Sequence, residues 1–287
     1  MTPLALLLVF SSTVFHVGWN YLTKSSPHKT AFLWLINAVF SIVYLPVFFL
    51  MGFSLSLPGR AWAFVLCSGL GHALYYWALS RAYDAGDLSL VYPLSRGSGV
   101  LLVALCSVPV LGEHLSGLGG AGIGAVLLGI LTLHIRSGSW KQSLLPSRTP
   151  GSIWAIVAGV MIAGFSLIDK VGVQTLNPVP YAYLIFVMAG IFFTPFALRD
   201  GWVTVRATWL NETRGVIACG LLVLPAYLLI LFAFTLAPAA YVVASREVRL
   251  VFGALMGAFF LREGHAGYRL TGSALIVFGV AFLAFAK

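Results

Sequence analysis

The segments GDLSLVYPLSRG, residues 86–97, and PAAYVVASREVR, residues 238–249, decide how this chain folds. Each places an arginine, Arg96 or Arg246, inside an otherwise apolar stretch of helical length. A charge in the interior of a membrane is costly, and it is by default a candidate for function. The two arginines lie 150 positions apart, which indicates that the chain is built twice.

Composition predicts a membrane protein. Hydrophobic residues make up 60% of the 287 residues and charged residues 9%, and the mean hydropathy is +0.97. A soluble globule needs more polar surface than this. Apolar windows of about 20 residues predict ten helices rather than a β-barrel, which would show shorter alternating segments. The predicted helices cover residues 4–23, 30–52, 60–82, 88–109, 116–135, 151–171, 179–198, 214–235, 238–260 and 266–286.

Several kinds of site are not expected. Cys67, Cys106 and Cys219 lie inside predicted helices without CxxC or histidine spacing, which argues against disulfides and metal ligands. No cofactor is expected either. The net charge of +9 is spread over short loops, which fits lipid headgroups better than nucleic acid. We therefore expect a lipid bilayer, and no nucleic acid, as a partner.

The two halves of the chain align with each other. Each half has five predicted helices, an odd number, so the second half enters the membrane in the opposite orientation. Inverted repeats of this kind are typical of secondary transporters, whose substrate site lies near the midplane. We expect a first repeat at 1–136, a linker at 137–150 and a second repeat at 151–287. The pairs at an offset of 150 are Ser95 and Ser245, Arg96 and Arg246, Glu113 and Glu263, Gly122 and Gly272, and Gly129 and Gly279.

Polar residues in the first and third helices are candidates for a cavity wall. His16, Trp19 and Asn20 share one face of the first helix. This face either makes hydrogen bonds to neighbouring helices or lines a cavity. In the third helix, Tyr75 and His72 either line a pocket or belong to an aromatic group at the membrane interface.

The fourth and ninth helices carry the remaining candidates. Pro93 lacks an amide hydrogen, so the carbonyl of Ser89 loses its partner and a break facing a cavity is predicted. Tyr92 and Arg96 share a face around that break. Tyr241 lies in the ninth helix ahead of its arginine.

Charge pairing leaves a guanidinium for a ligand. We expect Glu247 to pair with Arg96 or Arg246, so at least one guanidinium can bind an anion through its planar fork. Arg249 either joins that role or bonds to backbone carbonyls near the membrane surface. Glu247 is the candidate for proton coupling.

The fifth helix is rich in glycine. Gly120 and Gly124 form a GxxxG pair, a pattern that favours close packing of membrane helices. We expect this pair to lie against a neighbouring helix.

Three motifs carry a resemblance to a known family. HVGWN at 16–20, AYDAGDLSLVYPLSRG at 82–97 and SREVRLVFGALMG at 245–257 resemble the EamA type of the drug/metabolite transporter superfamily, in particular a subgroup associated with phosphonate utilisation. The resemblance extends over essentially the whole chain. It implies a basket-like bundle of ten transmembrane helices around a central cavity, which moves small solutes. It implicates His16, Trp19, Asn20, Tyr92, Arg96, Arg246 and Glu247.

The expected function is secondary active transport of a small anionic or zwitterionic metabolite by alternating access in a bacterial inner membrane. An amino acid, an organic acid or a phosphonate-like compound would fit, and no enzymatic activity is expected. The alternatives are an intramembrane lipid-modifying enzyme and a structural or sensory membrane subunit. The candidate substrate-binding residues are His16, Trp19, Asn20, Tyr75, Tyr92, Arg96, Tyr241, Arg246 and Glu247.

Overall fold

The structure of the protein is a computed structural model. It describes residues 1–53, 55–86, 88–133, 149–252 and 266–286, with the backbone alone at 17–21, 24–25, 88–90, 200 and 266. Most of the expected linker therefore lies outside the described residues, as does Glu263, the residue that corresponds to Glu113 in the predicted repeat. The regular structure of the described part is helical throughout.

The helices follow the predicted order. The first half contains α1 (Pro3–Ser25), α2 (Lys29–Leu50), α3 (Gly59–Ala85), α4 (Leu88–Leu111) and α5 (Gly117–Thr132). The second half contains α6 (Pro150–Thr175), α7 (Pro178–Ala197), a short 3-10 helix (Leu198–Asp200), α8 (Trp202–Leu236), α9 (Ala239–Ser245) and α10 (Ala266–Phe285).

Local sequence explains where several helices begin. A side-chain oxygen at each start accepts a hydrogen bond from an amide in the first turn, which has no partner within the helix. Prolines immediately after three of these residues suit the first helical position. The capping residues are Thr2, Ser116, Thr149 and Asn177.

Six helices of the described part are long and apolar enough to cross a membrane. Large apolar side chains, among them Val14, Ile42 and Leu105, are exposed on the outside of the bundle. The expected all-helical chain with several membrane spans is confirmed. The six spans are Lys29–Leu50, Val91–Leu111, Pro150–Thr175, Pro178–Ala197, Trp202–Leu236 and Gly267–Phe285.

Two helices of the second half differ from the prediction. α8 begins at Trp202, before the predicted start at 214, and its backbone leaves the helical region at Glu212 (φ −126°, ψ 18°), where two helical segments meet. α9 ends at Ser245, and residues 246–247 form a turn before helical backbone resumes at 248–252.

The break predicted at Pro93 is wrong. α4 runs through Pro93 and Pro109 without interruption. Pro93 removes a single hydrogen bond, to the carbonyl of Ser89, and its fixed φ of about −65° is already helical. The helix therefore accommodates it near its start.

α5 and α10 cross with their backbones almost in contact. A Cβ on Gly122 would lie 2.8 Å from the carbonyl oxygen of Gly279, and a Cβ on Gly129 would lie 2.7 Å from that of Gly272. Both distances are shorter than real Cβ contacts. The crossing therefore depends on glycine.

The GxxxG contact expected in α5 is wrong. A Cβ on Gly120 or Gly124 would meet nothing within 4 Å. Gly122 and Gly129, which make the contact, are spaced about two turns apart on another face of the helix.

Two further close crossings join the halves. A Cβ on Gly69 of α3 would lie 2.7 Å from Cβ of Met188 in α7, and a Cβ on Gly220 of α8 would lie 2.7 Å from Cγ1 of Val39 in α2. The halves therefore interlock, and the core is shared between them.

The α5–α10 crossing is tested by adding one methyl group. We expect Gly129→Ala to lower the melting temperature of the purified protein, because overpacking costs about 1–3 kcal/mol. Gly124→Ala is the matched control, since the same change there enters open space. If Gly129→Ala melts no lower than Gly124→Ala, the two helices are not in close contact.

Candidate functional site

A cavity of about 40 Å³ lies between the two halves of the bundle. Its wall combines aromatic and aliphatic side chains with three arginines. The space holds only a few water molecules. The lining residues are His16, Leu33, Ile36, Asn37, His72, Tyr75, Tyr76, Arg96, Phe165, Phe186, Val223, Tyr227, Arg246 and Arg249.

Arg96 of α4 is held by aromatic side chains. Its Nη2 donates a hydrogen bond of 2.7 Å to the Tyr75 hydroxyl. Its Cζ lies 5.6 Å from the ring centroid of Tyr75 and 5.1 Å from that of Tyr92. The negative faces of aromatic rings attract a cation at such distances. Its Nε has no hydrogen-bond partner among the described residues, so this guanidinium is oriented but incompletely satisfied.

Glu247 pairs with Arg249, so the pairing predicted with Arg96 or Arg246 is wrong. Arg249 Nη2 donates to Glu247 Oε1 at 2.7 Å, and both side chains are buried. On a regular helix, residues two positions apart point in directions about 200° apart. The turn at residues 246–247 removes that spacing and brings carboxylate and guanidinium together.

Arg246 has no ion-pair partner among the described residues. It lines the cavity with 7% of its surface exposed. Within the part of the chain that the structure describes, its side chain makes no hydrogen bond or ion pair. Arg96 and Arg249 add positive charge nearby, and Glu247, which is paired with Arg249, adds negative charge. Because a buried cation without a counterion is costly, this position favours an incoming anion.

His16 and His72 hold the same tautomer on α1 and α3. Nδ1 of each ring lies 2.9 Å from the backbone carbonyl four positions earlier, at Ser12 and Ser68. A carbonyl only accepts, so Nδ1 carries the hydrogen and Nε2 keeps its lone pair. The His72 ring also stacks on Phe165, with centroids 3.9 Å apart. Both imidazoles are therefore fixed in orientation.

The structure brings four of the predicted site residues together. His16, Tyr75, Arg96 and Arg246 all line the cavity. Tyr92 lies behind this group, where its ring contacts the Arg96 guanidinium.

The other predicted residues lie elsewhere. The Tyr241 hydroxyl accepts a hydrogen bond of 2.9 Å from the amide of Ser116, at the start of α5, and does not reach the cavity. Glu247 is engaged in its ion pair. The side chains of Trp19 and Asn20 lie outside the described part of the structure.

Asp169 is a buried residue that is not among the predicted substrate-binding residues. Its carboxylate is 0% exposed and accepts hydrogen bonds from the hydroxyl of Tyr181, at 2.9 Å, and from that of Tyr227. Tyr227 lines the cavity. The signal in the sequence is an acidic residue inside the apolar stretch 151–171, which by itself marks a functional candidate.

Lys170 and Glu113 join the halves outside the cavity. Lys170 Nζ donates to the carbonyls of Phe234 and Ala237 at 2.5 and 2.8 Å, where α8 ends. Glu113 accepts from the amide of Ala239, where α9 begins, at 2.7 and 2.9 Å. The two charges lie 3.7 Å apart. They therefore stabilise two helix ends and tie the α4–α5 turn to the second half.

The buried ion pair gives a stability prediction. We expect Glu247→Gln to destabilise the protein by about 3–5 kcal/mol, because Arg249 is left as a buried charge without a counterion. The double variant Glu247→Leu with Arg249→Met should regain most of this loss, since an apolar replacement of a buried pair is close to neutral. Denaturation of the purified protein, followed by circular dichroism, measures both.

The matched control is Asp84→Asn. Asp84 is largely exposed and lies 4.0 Å from Lys29, so the change should cost less than about 1 kcal/mol. A Glu247→Gln variant as stable as Asp84→Asn would contradict a structural role for the buried pair.

Known proteins resemble parts of this chain. Residues 149–285 match the model of the EamA-like transporter family. A protein from Sinorhizobium sp, named "Uncharacterized transporter in cobO 3'region", is 35% identical over 79 residues, which cover 28% of this chain and 55% of the relative. The match therefore spans about half the length of that relative.

The fold also has a counterpart among solved structures. One crystal structure, of 16% sequence identity, aligns with a TM-score of 0.75 over 99% of this chain and 98% of its own. At this identity the likeness shows the fold alone. The apolar helices of the bundle together with these comparisons indicate an integral membrane protein in which residues 149–285 resemble the EamA-like transporter family.

Proposed function

We propose that this protein is a secondary active transporter, not an enzyme, that moves a small anionic or zwitterionic metabolite across a bacterial inner membrane by alternating access. The observation that carries the proposal is Arg246. Its guanidinium is buried, faces the cavity and has no partner within the described residues. Such a charge in a membrane interior favours a negative ligand.

The charges around the cavity favour one anionic group. Glu247 neutralises Arg249, and the phenol and rings around Arg96 offset part of its charge. Arg246 is the cavity arginine that has no ion-pair or hydrogen-bond partner among the described residues. A guanidinium binds a carboxylate, phosphonate or phosphate group through two parallel hydrogen bonds.

Two unpaired acceptors favour a substrate that also has hydrogen-bond donors. Asn37 Oδ1 and His72 Nε2 are buried, belong to cavity-lining residues and have no hydrogen-bond partner among the described residues. An ammonium or hydroxyl group on the substrate would satisfy them. Amino acids, hydroxy acids and aminophosphonates or hydroxyphosphonates share this combination of groups.

The size of the cavity supports a mechanism with movement. At about 40 Å³ it admits a few water molecules, whereas sites for small molecules occupy about 300–1,000 Å³. The substrate can enter only if the helices around the cavity move apart. We interpret the structure as a closed state of the transport cycle.

The α5–α10 crossing supports an inverted repeat. At an offset of 150 positions, Gly122 corresponds to Gly272 and Gly129 corresponds to Gly279. The contact between Gly122 and Gly279 therefore corresponds to the contact between Gly272 and Gly129, which is the second contact of the same crossing. A two-fold axis through the crossing would produce this relation. Two halves related in this way can rock between two access states.

The other close crossings support the same symmetry. Gly69 and Gly220 correspond at an offset of 151, and Val39 and Met188 at an offset of 149. The Gly69–Met188 contact thus corresponds to the Gly220–Val39 contact.

Both the matched family and the named relative are described as transporters, which favours transport over catalysis.

The decisive variant is Arg246→Gln. We expect a thermal-shift screen of the purified protein against amino acids, hydroxy acids, phosphonates and sugar phosphates to find stabilising anions, since a ligand at 100 times its Kd stabilises by about 2.7 kcal/mol. Arg246→Gln should weaken binding by about 2–5 kcal/mol, because the anion is left without its charged partner.

The matched control is Arg60→Gln, at an exposed arginine outside the cavity, which should bind and transport as the wild type does. Uptake by liposomes that contain only this protein tests transport itself. Wild-type uptake by Arg246→Gln would contradict the proposal. Turnover of a labelled lipid would favour the intramembrane enzyme, and a lack of uptake for every ligand that binds would favour a structural or sensory subunit.

A further inference from the structure

Asp169 is a buried carboxylate that the proposed anion site leaves unused. It lies on α6, is fully buried and makes no ion pair within the described part of the chain. The neutral phenols of Tyr181 and Tyr227 donate hydrogen bonds to it, and the Ser68 hydroxyl also interacts with it. An ionised carboxylate in apolar surroundings without a counterion is costly, so a neutral, protonated form is accessible at this position.

The two phenols have different surroundings. Tyr181 packs against the backbone of α6, where a Cβ on Gly172 would lie 2.5 Å from its hydroxyl oxygen, and it is not part of the cavity wall. Tyr227 lines the cavity, and its ring meets that of His72 edge to face at 5.1 Å between centroids. Tyr181 therefore anchors Asp169, whereas Tyr227 connects it to the cavity.

We propose that Asp169 binds a coupling proton and that Tyr227 transmits its protonation state to the substrate cavity. The inference rests on the proposed function as an anion transporter. When Asp169 is ionised, the Tyr227 hydroxyl donates to it, and only oxygen lone pairs of the phenol are available to the cavity. When Asp169 is protonated, its own O–H donates to the Tyr227 oxygen. The hydrogen of Tyr227 is then free to donate to an anion beside Arg246.

The proton and the anion travel together in this scheme. A proton from the water on the entry side forms an O–H bond with Asp169 as the anion binds at Arg246. The same bond breaks when the anion leaves, and the proton passes to the water on the exit side. One proton accompanies each anion, so the pair carries one unit less negative charge than the anion alone.

The groups that face Asp169 fit this coupling. Arg246 is the charged group that acts on it from the second half, and its positive charge favours the ionised carboxylate. An anion that neutralises Arg246 removes this influence, so proton uptake and anion binding strengthen each other. The titratable and charged groups around Asp169 and its phenols are Cys67 and His72 on α3, Arg96 on α4, Tyr181 on α7, Tyr227 on α8 and Arg246 after α9.

Glu247 is less suited to carry the proton. Its Oε1 accepts from Arg249 at 2.7 Å, and a proton there would leave a buried guanidinium without its counterion. Asp169 makes no such pair among the described residues, so its protonation breaks no ion pair.

The first test needs no substrate. Infrared difference spectra of the purified protein, recorded as a function of pH, should show a carboxylic acid C=O band that is absent in Asp169→Asn and present in Asp84→Asn. A tyrosine ring band should titrate with it and disappear from the spectra of Tyr227→Phe. If the carboxylic acid band persists in Asp169→Asn, or the tyrosine band persists in Tyr227→Phe, the proposal is overturned.

The second test uses sulfate, whose charge is constant across the neutral pH range. Calorimetry should find that sulfate affinity falls about tenfold per pH unit above the titration of Asp169. Asp169→Asn should bind sulfate without this pH dependence, because the amide mimics the protonated acid. Tyr227→Phe should also lose it, whereas Tyr181→Phe should keep it.

The two tests separate the two proposals. If sulfate does not bind while the carboxyl and tyrosine bands behave as expected, the anion site fails and the proton site stands. If sulfate binds to Asp169→Asn with wild-type pH dependence, or if His72→Gln alone abolishes that dependence, the coupling through Asp169 is refuted.

Discussion

A guanidinium buried among apolar helices must meet negative charge, and the interior of this bundle is arranged around that requirement. Two of the three buried arginines meet it in different ways. Arg249 has a carboxylate, and Arg96 has a phenol and two aromatic rings. Arg246 has no such partner within the described residues. Arg249 therefore belongs to a structural ion pair, whereas Arg246 is the position that can receive a ligand.

The fold could largely be read from the sequence because it depends on local properties. Apolar length and capping residues such as Thr149 and Asn177 fix where helices begin. The exceptions also have local causes. The part of α8 that precedes Glu212 is too polar to be recognised as a membrane span, and the effect of Pro93 was overstated because one missing hydrogen bond near a helix start is tolerated.

The site was less accessible to sequence reasoning because it depends on where helices are interrupted. Because a charge that faces lipid is costly, Arg96 and Arg246 could be predicted from the sequence to lie in the interior of the bundle, where the structure places them. The partner of Glu247 could not be found in the same way, because a turn of two residues reverses the directions of neighbouring side chains. Tyr241 illustrates a similar limit, since its polar partner comes from the α4–α5 turn, far away in sequence.

The glycine crossing of α5 and α10 has a mechanical consequence. Neither helix contributes a described residue to the cavity wall, so the crossing lies to one side of the cavity. Leu283 and Ile276 lie against the α5 glycines, and Leu133 and Val126 lie against the α10 glycines, so a rotation at this contact disturbs tight packing. In the proposed rocking of the halves, α5 and α10 would therefore move together as one unit, and the displacement would take place at other helix contacts.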